Sequence, residues 1–126
     1  MSQPYRPEPP QAFFQAYADA ATRGSAAEGY GRMAQTFNEF LRQHTEAAGI
    51  HFAGTFAKTD HLLKAHDAPE ALRAAVHQAR IRLRRRALID EATLAEGRRA
   101  DAAALCHLAA LTCGVAVPEE IGRAHV

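Results

Sequence analysis

The chain has 126 residues and a formal net charge of +1, with 48% hydrophobic and 23% charged residues. This length suits one domain with its own core, and the composition excludes both a disordered chain and a generally polycationic one. The sequence has neither a membrane-length apolar run nor a secretory signal, so we expect a cytoplasmic protein.

The first stretch of the chain predicts a leader followed by a helix. Residues 1–10 contain four of the six prolines, which favours a flexible leader. Helix one is expected to start near Pro10 and to stop before Gly24, with Phe13 and Tyr17 on its apolar side.

Two further helices are predicted before residue 67. Ser25 and Glu28 have the spacing of a capping box that opens the second helix, which is expected to end near Gly49. A third helix is expected over residues 51–66. The buried stripe of the second helix is predicted to be Tyr30, Met33, Phe37, Phe40 and Leu41.

The fourth predicted helix, over residues 69–89, carries the most basic segment of the chain. Asp67-Ala-Pro-Glu70 has the form of a capping signal with proline in the first turn. The block from Arg80 to Arg86 contains five arginines in seven residues and no acid. At helical spacing, an apolar stripe of Leu72, Val76, Ala79 and Leu83 lies beside a basic stripe of Arg73, His77, Arg80 and Arg84.

The C-terminal part predicts a turn and then the central helix. Residues 89–99 are polar and contain Gly97, which favours a short helical turn or loop. Residues 101–113 are rich in alanine and leucine on nearly every side, which indicates a buried central helix capped by Gly114. With no alternating pattern anywhere, we predict an all-α fold, a compact bundle of about five helices. Its expected core is Phe37, Phe40, Phe52, Phe56, Leu72, Val76, Leu83, Leu105 and Leu108.

The end of the chain has an unusual pattern. Residues 121–126, IGRAHV, can be written as an in-frame translation of a common sequencing-adapter oligonucleotide. We therefore expect this tail to be non-native. On that basis we expect residues 11–120 to form a single helical domain and to be the N-terminal part of a longer protein.

The arginine cluster is the best candidate site. The planar fork of arginine binds phosphate through two hydrogen bonds, so arginines in a row are suited to a nucleic-acid backbone. The same pattern also occurs where arginines are solvated or paired with acids on a neighbouring helix. The candidate nucleic-acid-binding residues are Arg73, Arg80, Arg82, Arg84, Arg85 and Arg86.

Other chemistry has no support in the pattern. The histidines have no i, i+4 partner, and the spacings of arginine and histidine do not match helical ribonucleases. Cys106 and Cys113 are two helical turns apart, which is beyond disulfide reach, and they lie in an apolar segment where thiols are inert. We therefore predict no catalytic residue, no metal and no cofactor.

One resemblance covers residues 36–120. The order of Phe37, Phe40, Thr45 and Phe52, followed by Phe56-Ala57-Lys58, Leu72, His77, Arg80 and a closing leucine helix before Val117-Pro118, resembles the helical region ahead of the motor in some bacterial superfamily-one helicases and related ATPases. The resemblance implies an all-helical accessory domain. Because no Walker motif is present, it implies that any ATPase activity lies in a C-terminal motor.

Two functions follow as hypotheses. The first is a non-catalytic accessory domain of a nucleic-acid-remodelling ATPase, whose arginines contact DNA or RNA phosphates or the motor domain of the same chain. The second is a stand-alone helical module that binds an acidic protein partner or self-associates.

Overall fold

A computed structural model describes residues 10–47 and 57–117, and this part of the chain contains helices and no strand. The predicted all-α bundle of about five helices is confirmed. The helices are α1 (Pro10–Thr22), α2 (Ala26–Ala47), α3 (Ala57–Ala65), α4 (Glu70–Arg84) and α5 (Glu91–Cys113), with a short 3-10 turn at Arg86–Leu88 between the last two.

Helix α5 is the centre of the bundle and packs against α1, α2 and α4. Its second half is almost wholly buried, because alanine and leucine surround the helix there. The predicted central helix and its cap at Gly114, whose backbone is left-handed, are therefore confirmed. The core residues predicted correctly are Phe37, Phe40, Val76, Leu83, Leu105 and Leu108, all fully buried.

The remaining predictions for the core and termini have different outcomes. Leu72 is partly buried at the edge of the core rather than at its centre. Phe52 and Phe56 lie outside the described residues. So do residues 1–9 of the expected leader, the expected start of helix three and the tail at residues 121–126.

The prediction of a turn or loop over residues 89–99 is wrong. Helix α5 begins at Glu91 and runs unbroken through Gly97. Asp90 caps it, since its carboxylate accepts hydrogen bonds from the backbone N–H and the hydroxyl of Thr93. Leu94 supplies a buried apolar contact one turn later. Capping and packing therefore outweigh the low helix propensity of one glycine.

The prediction that Asp67 caps α4 is also wrong. Asp67 instead ends α3: its φ of 49° is left-handed, and its N–H donates to the carbonyl of Lys64. The next N–H, of Ala68, donates to the carbonyl of Leu63, which completes a Schellman motif. Pro69 lies at the N-cap itself rather than in the first turn.

Two charged side chains of α5 fix the corner between α1 and α2. The carboxylate of Glu91 accepts from the backbone N–H of Ala26 at 2.5 Å and of Ala27 at 3.1 Å, at the start of α2. Two turns later, the guanidinium of Arg98 donates to carbonyls at the end of α1, including that of Ala21 at 3.0 Å. Each charge opposes the partial charge of the helix end it meets, so both contacts are stabilising.

The predicted capping box at the same corner forms in part. The hydroxyl of Ser25 accepts from the N–H of Glu28 at 3.1 Å, as the pattern predicts. The other exposed amides at the start of α2 are satisfied by Glu91 instead. The sequence pattern thus identified the helix start, while a distant part of the chain completes the cap.

Gly29 sets how closely α1 and α2 approach each other. A Cβ atom at this position would lie 2.4 Å from the carbonyl oxygen of Ala20, which is backbone and cannot rotate away. Gly31, two residues along the same helix, has no atom within 4 Å of the corresponding Cβ position. The two glycines of the same helix are therefore in opposite steric situations.

Substituting each glycine by alanine tests this difference. We expect Gly29→Ala to lower the free energy of unfolding by about 1–3 kcal/mol, because the helices must separate. Gly31→Ala should raise it by up to about 1 kcal/mol, since alanine favours the helix. Urea unfolding followed by circular dichroism measures both, and equal shifts for the two variants would contradict the helix crossing described above.

Candidate functional site

One buried carboxylate joins three helices of the fold through hydrogen bonds. Asp101 on α5 is 1% exposed. The guanidinium of Arg82 on α4 donates to both of its oxygens, from Nε at 2.5 Å and from Nη2 at 2.6 Å. The hydroxyl of Tyr30 on α2 donates to the oxygen that accepts from Nε. We call Tyr30, Arg82 and Asp101 the buried triad.

Gly97, one helical turn before Asp101, leaves the space that the triad needs. A Cβ at this position would lie 2.8 Å from Nε of Arg82 and 3.1 Å from the hydroxyl oxygen of Tyr30. Neither group can move away without losing its hydrogen bond to the carboxylate. The glycine that suggested a helix break is therefore explained by close side-chain approach.

The electrostatics of the triad follow from this geometry. The hydrogen bond with Asp101 raises the pKa of Arg82 above its ordinary value, which outweighs the opposing effect of burial. Burial first, and then the hydrogen bond with Asp101, raise the pKa of Tyr30. Both groups therefore keep their protons at neutral pH and hold the carboxylate from two sides.

The triad gives Arg82 a role that the sequence analysis did not assign. Its guanidinium is committed to Asp101, so we remove Arg82 from the candidate phosphate-binding set. A signal was present: Asp101 is the only acid between residues 97 and 117. A carboxylate in such an apolar helix requires a cationic or hydrogen-bonding partner. On a helical wheel, Arg82 also lies on the flank of α4 opposite Arg80.

The opposite flank of α4 carries the exposed positive surface. A groove there is lined by His77, Arg80, Ile81, Arg84 and Arg85, which we call the arginine face. His77, Arg84 and Arg85 are exposed, whereas the Arg80 side chain is only 18% exposed. Of the six predicted site residues, the structure thus brings Arg80, Arg84 and Arg85 together.

Arg73 and Arg86 lie outside this groove, although both are exposed. Arg73 donates from Nε to the carbonyl of Ala68 at 2.9 Å, and so ties α4 to the turn before it. Arg86 donates from Nη1 to the carbonyl of Leu83 at 2.7 Å, at the end of α4. Each arginine therefore has a local structural contact and retains other N–H groups at the surface.

The arginines of the face differ in their partners. Arg80 donates from Nη1 to the carboxylate of Asp60 on α3 at 2.7 Å. Arg84 and Arg85 make no ion pair with any acid in the described part of the chain. Pairing with an acid on a neighbouring helix was one expectation for these arginines, but spacing within α4 did not identify Asp60 as that acid.

Large apolar side chains are exposed beside these charges. Ile81 is 40% exposed within the arginine face, and Leu88 is 86% exposed in the 3-10 turn that follows α4. A protein partner could bury these apolar side chains, and arginine is itself enriched at protein interfaces. The sequence-based stripes of α4 include neither Ile81 nor Leu88, so this exposed apolar pair was not predicted.

Across residues 10–47 and 57–117, no three histidine, cysteine or acidic residues form a group able to hold a metal ion. Cys106 and Cys113 are free thiols, as predicted from their spacing. Burial raises the pKa of the Cys106 thiol to about 12, so the thiolate that reacts is scarce at neutral pH.

Comparisons with protein-family models, with curated proteins and with solved structures gave no match for this chain. The resemblance to helicase accessory regions therefore stays a prediction. None of the described helices combines the length and the apolarity that crossing a membrane requires.

The different environments of Arg82 and Arg84 can be tested with matched substitutions. We expect Arg82→Met to lower the free energy of unfolding by about 3–5 kcal/mol, because it leaves the buried carboxylate of Asp101 without its cation. Arg84→Met, an equal change on the exposed flank, should alter it by less than about 0.5 kcal/mol. Urea unfolding measures both values, and similar small losses would contradict the structural role of the triad.

Proposed function

We propose that the chain is a cytoplasmic, non-catalytic binding domain whose arginine face contacts the phosphate backbone of nucleic acid. One observation carries the proposal: Arg84 and Arg85 are exposed neighbours without an acidic partner in the described part of the chain. Unpaired guanidinium groups are free to release counterions from a polyanion and to bind its phosphates.

The character of this surface favours the backbone over the bases. The rings of Phe13, Tyr17, Tyr30, Phe37 and Phe40 are buried in the core. The residues that line the arginine face include no Phe, Tyr or Trp, so the face itself has none of the rings that single-strand-binding surfaces commonly use for base stacking. We therefore propose binding that depends on charge and is largely independent of base sequence.

The wider context of the proposal comes from the sequence resemblance. An accessory domain of a nucleic-acid-remodelling ATPase would hold the substrate while a motor in a C-terminal region performs the chemistry. An all-helical bundle with a basic flank suits such a role. The arginine face would contact either the nucleic acid or that motor domain.

Charge reversal at the two unpaired arginines tests the proposal. We expect Arg84→Glu with Arg85→Glu to weaken binding to a short DNA duplex by at least about tenfold at low salt, because two phosphate contacts become repulsive. The dependence of affinity on salt should also become shallower, by roughly 0.9 in slope for each lost phosphate contact. Fluorescence anisotropy with a labelled duplex measures both quantities.

The matched control reverses two arginines elsewhere. Arg23 directly follows α1 and Arg99 lies on α5, and both residues are exposed. Arg23→Glu with Arg99→Glu therefore changes the net charge by the same amount at positions outside α4. We expect this control to keep most of the affinity. Equal losses for both double variants, or no binding by the unsubstituted protein, would contradict a phosphate site on α4.

A second function, a module that binds an acidic protein partner or itself, is favoured by the exposure of Ile81 and Leu88. Phosphate groups make no favourable contact with apolar side chains, whereas a protein partner can bury them at an interface. Light scattering on the same samples separates the two functions. Two results together would favour the interaction module. The unsubstituted protein would be a dimer that does not bind the duplex, and the double substitution Ile81→Ser with Leu88→Ser would convert it to a monomer.

A further inference from the structure

Helix α3 contacts the arginine face through Asp60. The carboxylate of Asp60 is 74% exposed, yet it accepts a 2.7 Å hydrogen bond from Nη1 of Arg80. Arg80 is the least exposed arginine of the face, at 18%, and its Nε is buried without a partner in the described chain. The central guanidinium of the groove is thus held by one oxygen and is incompletely satisfied.

The position of Asp60 is fixed by its neighbours on α3. Thr59 is fully buried, Leu62 is 1% exposed and Leu63 is 6% exposed. These side chains attach the helix to the bundle and leave Asp60 facing outward. The carboxylate is therefore held beside α4 by the packing of its own helix rather than by the ion pair alone.

The ion pair itself is weak enough to be exchanged. An ion pair with one highly exposed partner contributes at most about 1 kcal/mol, since water and salt compete for the charges. The contrast within α4 is clear, because Arg82 is bound by both oxygens of a buried carboxylate. Of these two anionic contacts of α4, the one with Asp60 is therefore the one that an external anion can replace.

We infer that Asp60 is an internal competitor for phosphate, which occupies Arg80 until a polyanion displaces it. The inference rests on the proposed binding of nucleic acid by the arginine face. When a phosphodiester oxygen replaces the carboxylate, the nucleic acid contacts Arg80 in addition to Arg84 and Arg85. The face therefore favours a ligand with several adjacent phosphates, because one phosphate must take the place of Asp60 while others engage the free arginines.

Removing the charge of Asp60 tests the inference. Asp60→Asn should tighten binding to a labelled mixed-sequence DNA duplex by about three- to tenfold at low salt, because no carboxylate opposes the phosphate. The slope of affinity against salt should become steeper by up to about 0.9, which corresponds to one more phosphate contact. The melting temperature of each variant, measured by circular dichroism, verifies that it is folded.

Two controls separate competition from net charge. Glu96→Gln removes an exposed carboxylate from α5 and changes the net charge equally, so it should leave the affinity nearly unchanged. Asp60→Asn combined with Arg80→Gln should lose the gain, since the freed guanidinium is absent. An equal gain for Glu96→Gln, or a gain that survives Arg80→Gln, would overturn the inference.

The outcomes also separate this inference from the proposed function. If the unsubstituted protein binds the duplex and Asp60→Asn binds no tighter, the internal competitor is ruled out while nucleic-acid binding stands. If neither protein binds the duplex at low salt, both ideas are overturned.

Discussion

The carboxylate of Asp101 imposes the central constraint on this bundle. A charge that is 1% exposed in the buried second half of α5 would be strongly destabilising without compensation. Arg82 supplies an opposite charge with two hydrogen bonds, and Tyr30 supplies a third. Because these groups come from α4 and α2, the requirements of one side chain fix how three helices meet.

The same constraint divides the arginines of α4 into two sets. With Arg82 directed toward α5, the residues on the other flank of the helix face away from that contact. Arg80 then meets α3 through Asp60, and Arg84 and Arg85 remain without acidic partners in the described chain. The proposed binding surface thus consists of arginines of α4 that are not part of the buried triad.

Sequence periodicity was sufficient for the helices and much of the core. The spacing of Val76 and Leu83 identified the buried side of α4, and the composition of residues 101–113 identified the central helix. The prediction failed at one local turn, where Asp67 ends α3 instead of capping α4, and where an interaction joins distant parts of the chain. Gly97 suggested a break because the approach of Arg82 and Tyr30, which explains the glycine, is tertiary.

The candidate site was predictable only in part for the same reason. Helical spacing brought Arg80 and Arg84 onto one flank, as the structure has them. Spacing within α4 cannot reveal which arginine meets an acid from another helix. The structural role of Arg82 and the pairing of Arg80 with Asp60 were therefore missed. A buried acid in an apolar segment, such as Asp101, was the one local sign of a partner.

The most direct test of this account is an NMR titration that observes the Nε–H signals of the arginine side chains while a short DNA duplex is added. The account predicts a slowly exchanging signal for Arg82 that does not move. It predicts shifts or broadening for Arg84 and Arg85. A shift of Arg82 equal to theirs, or no change in any arginine, would contradict the division of α4 into a structural and a binding flank.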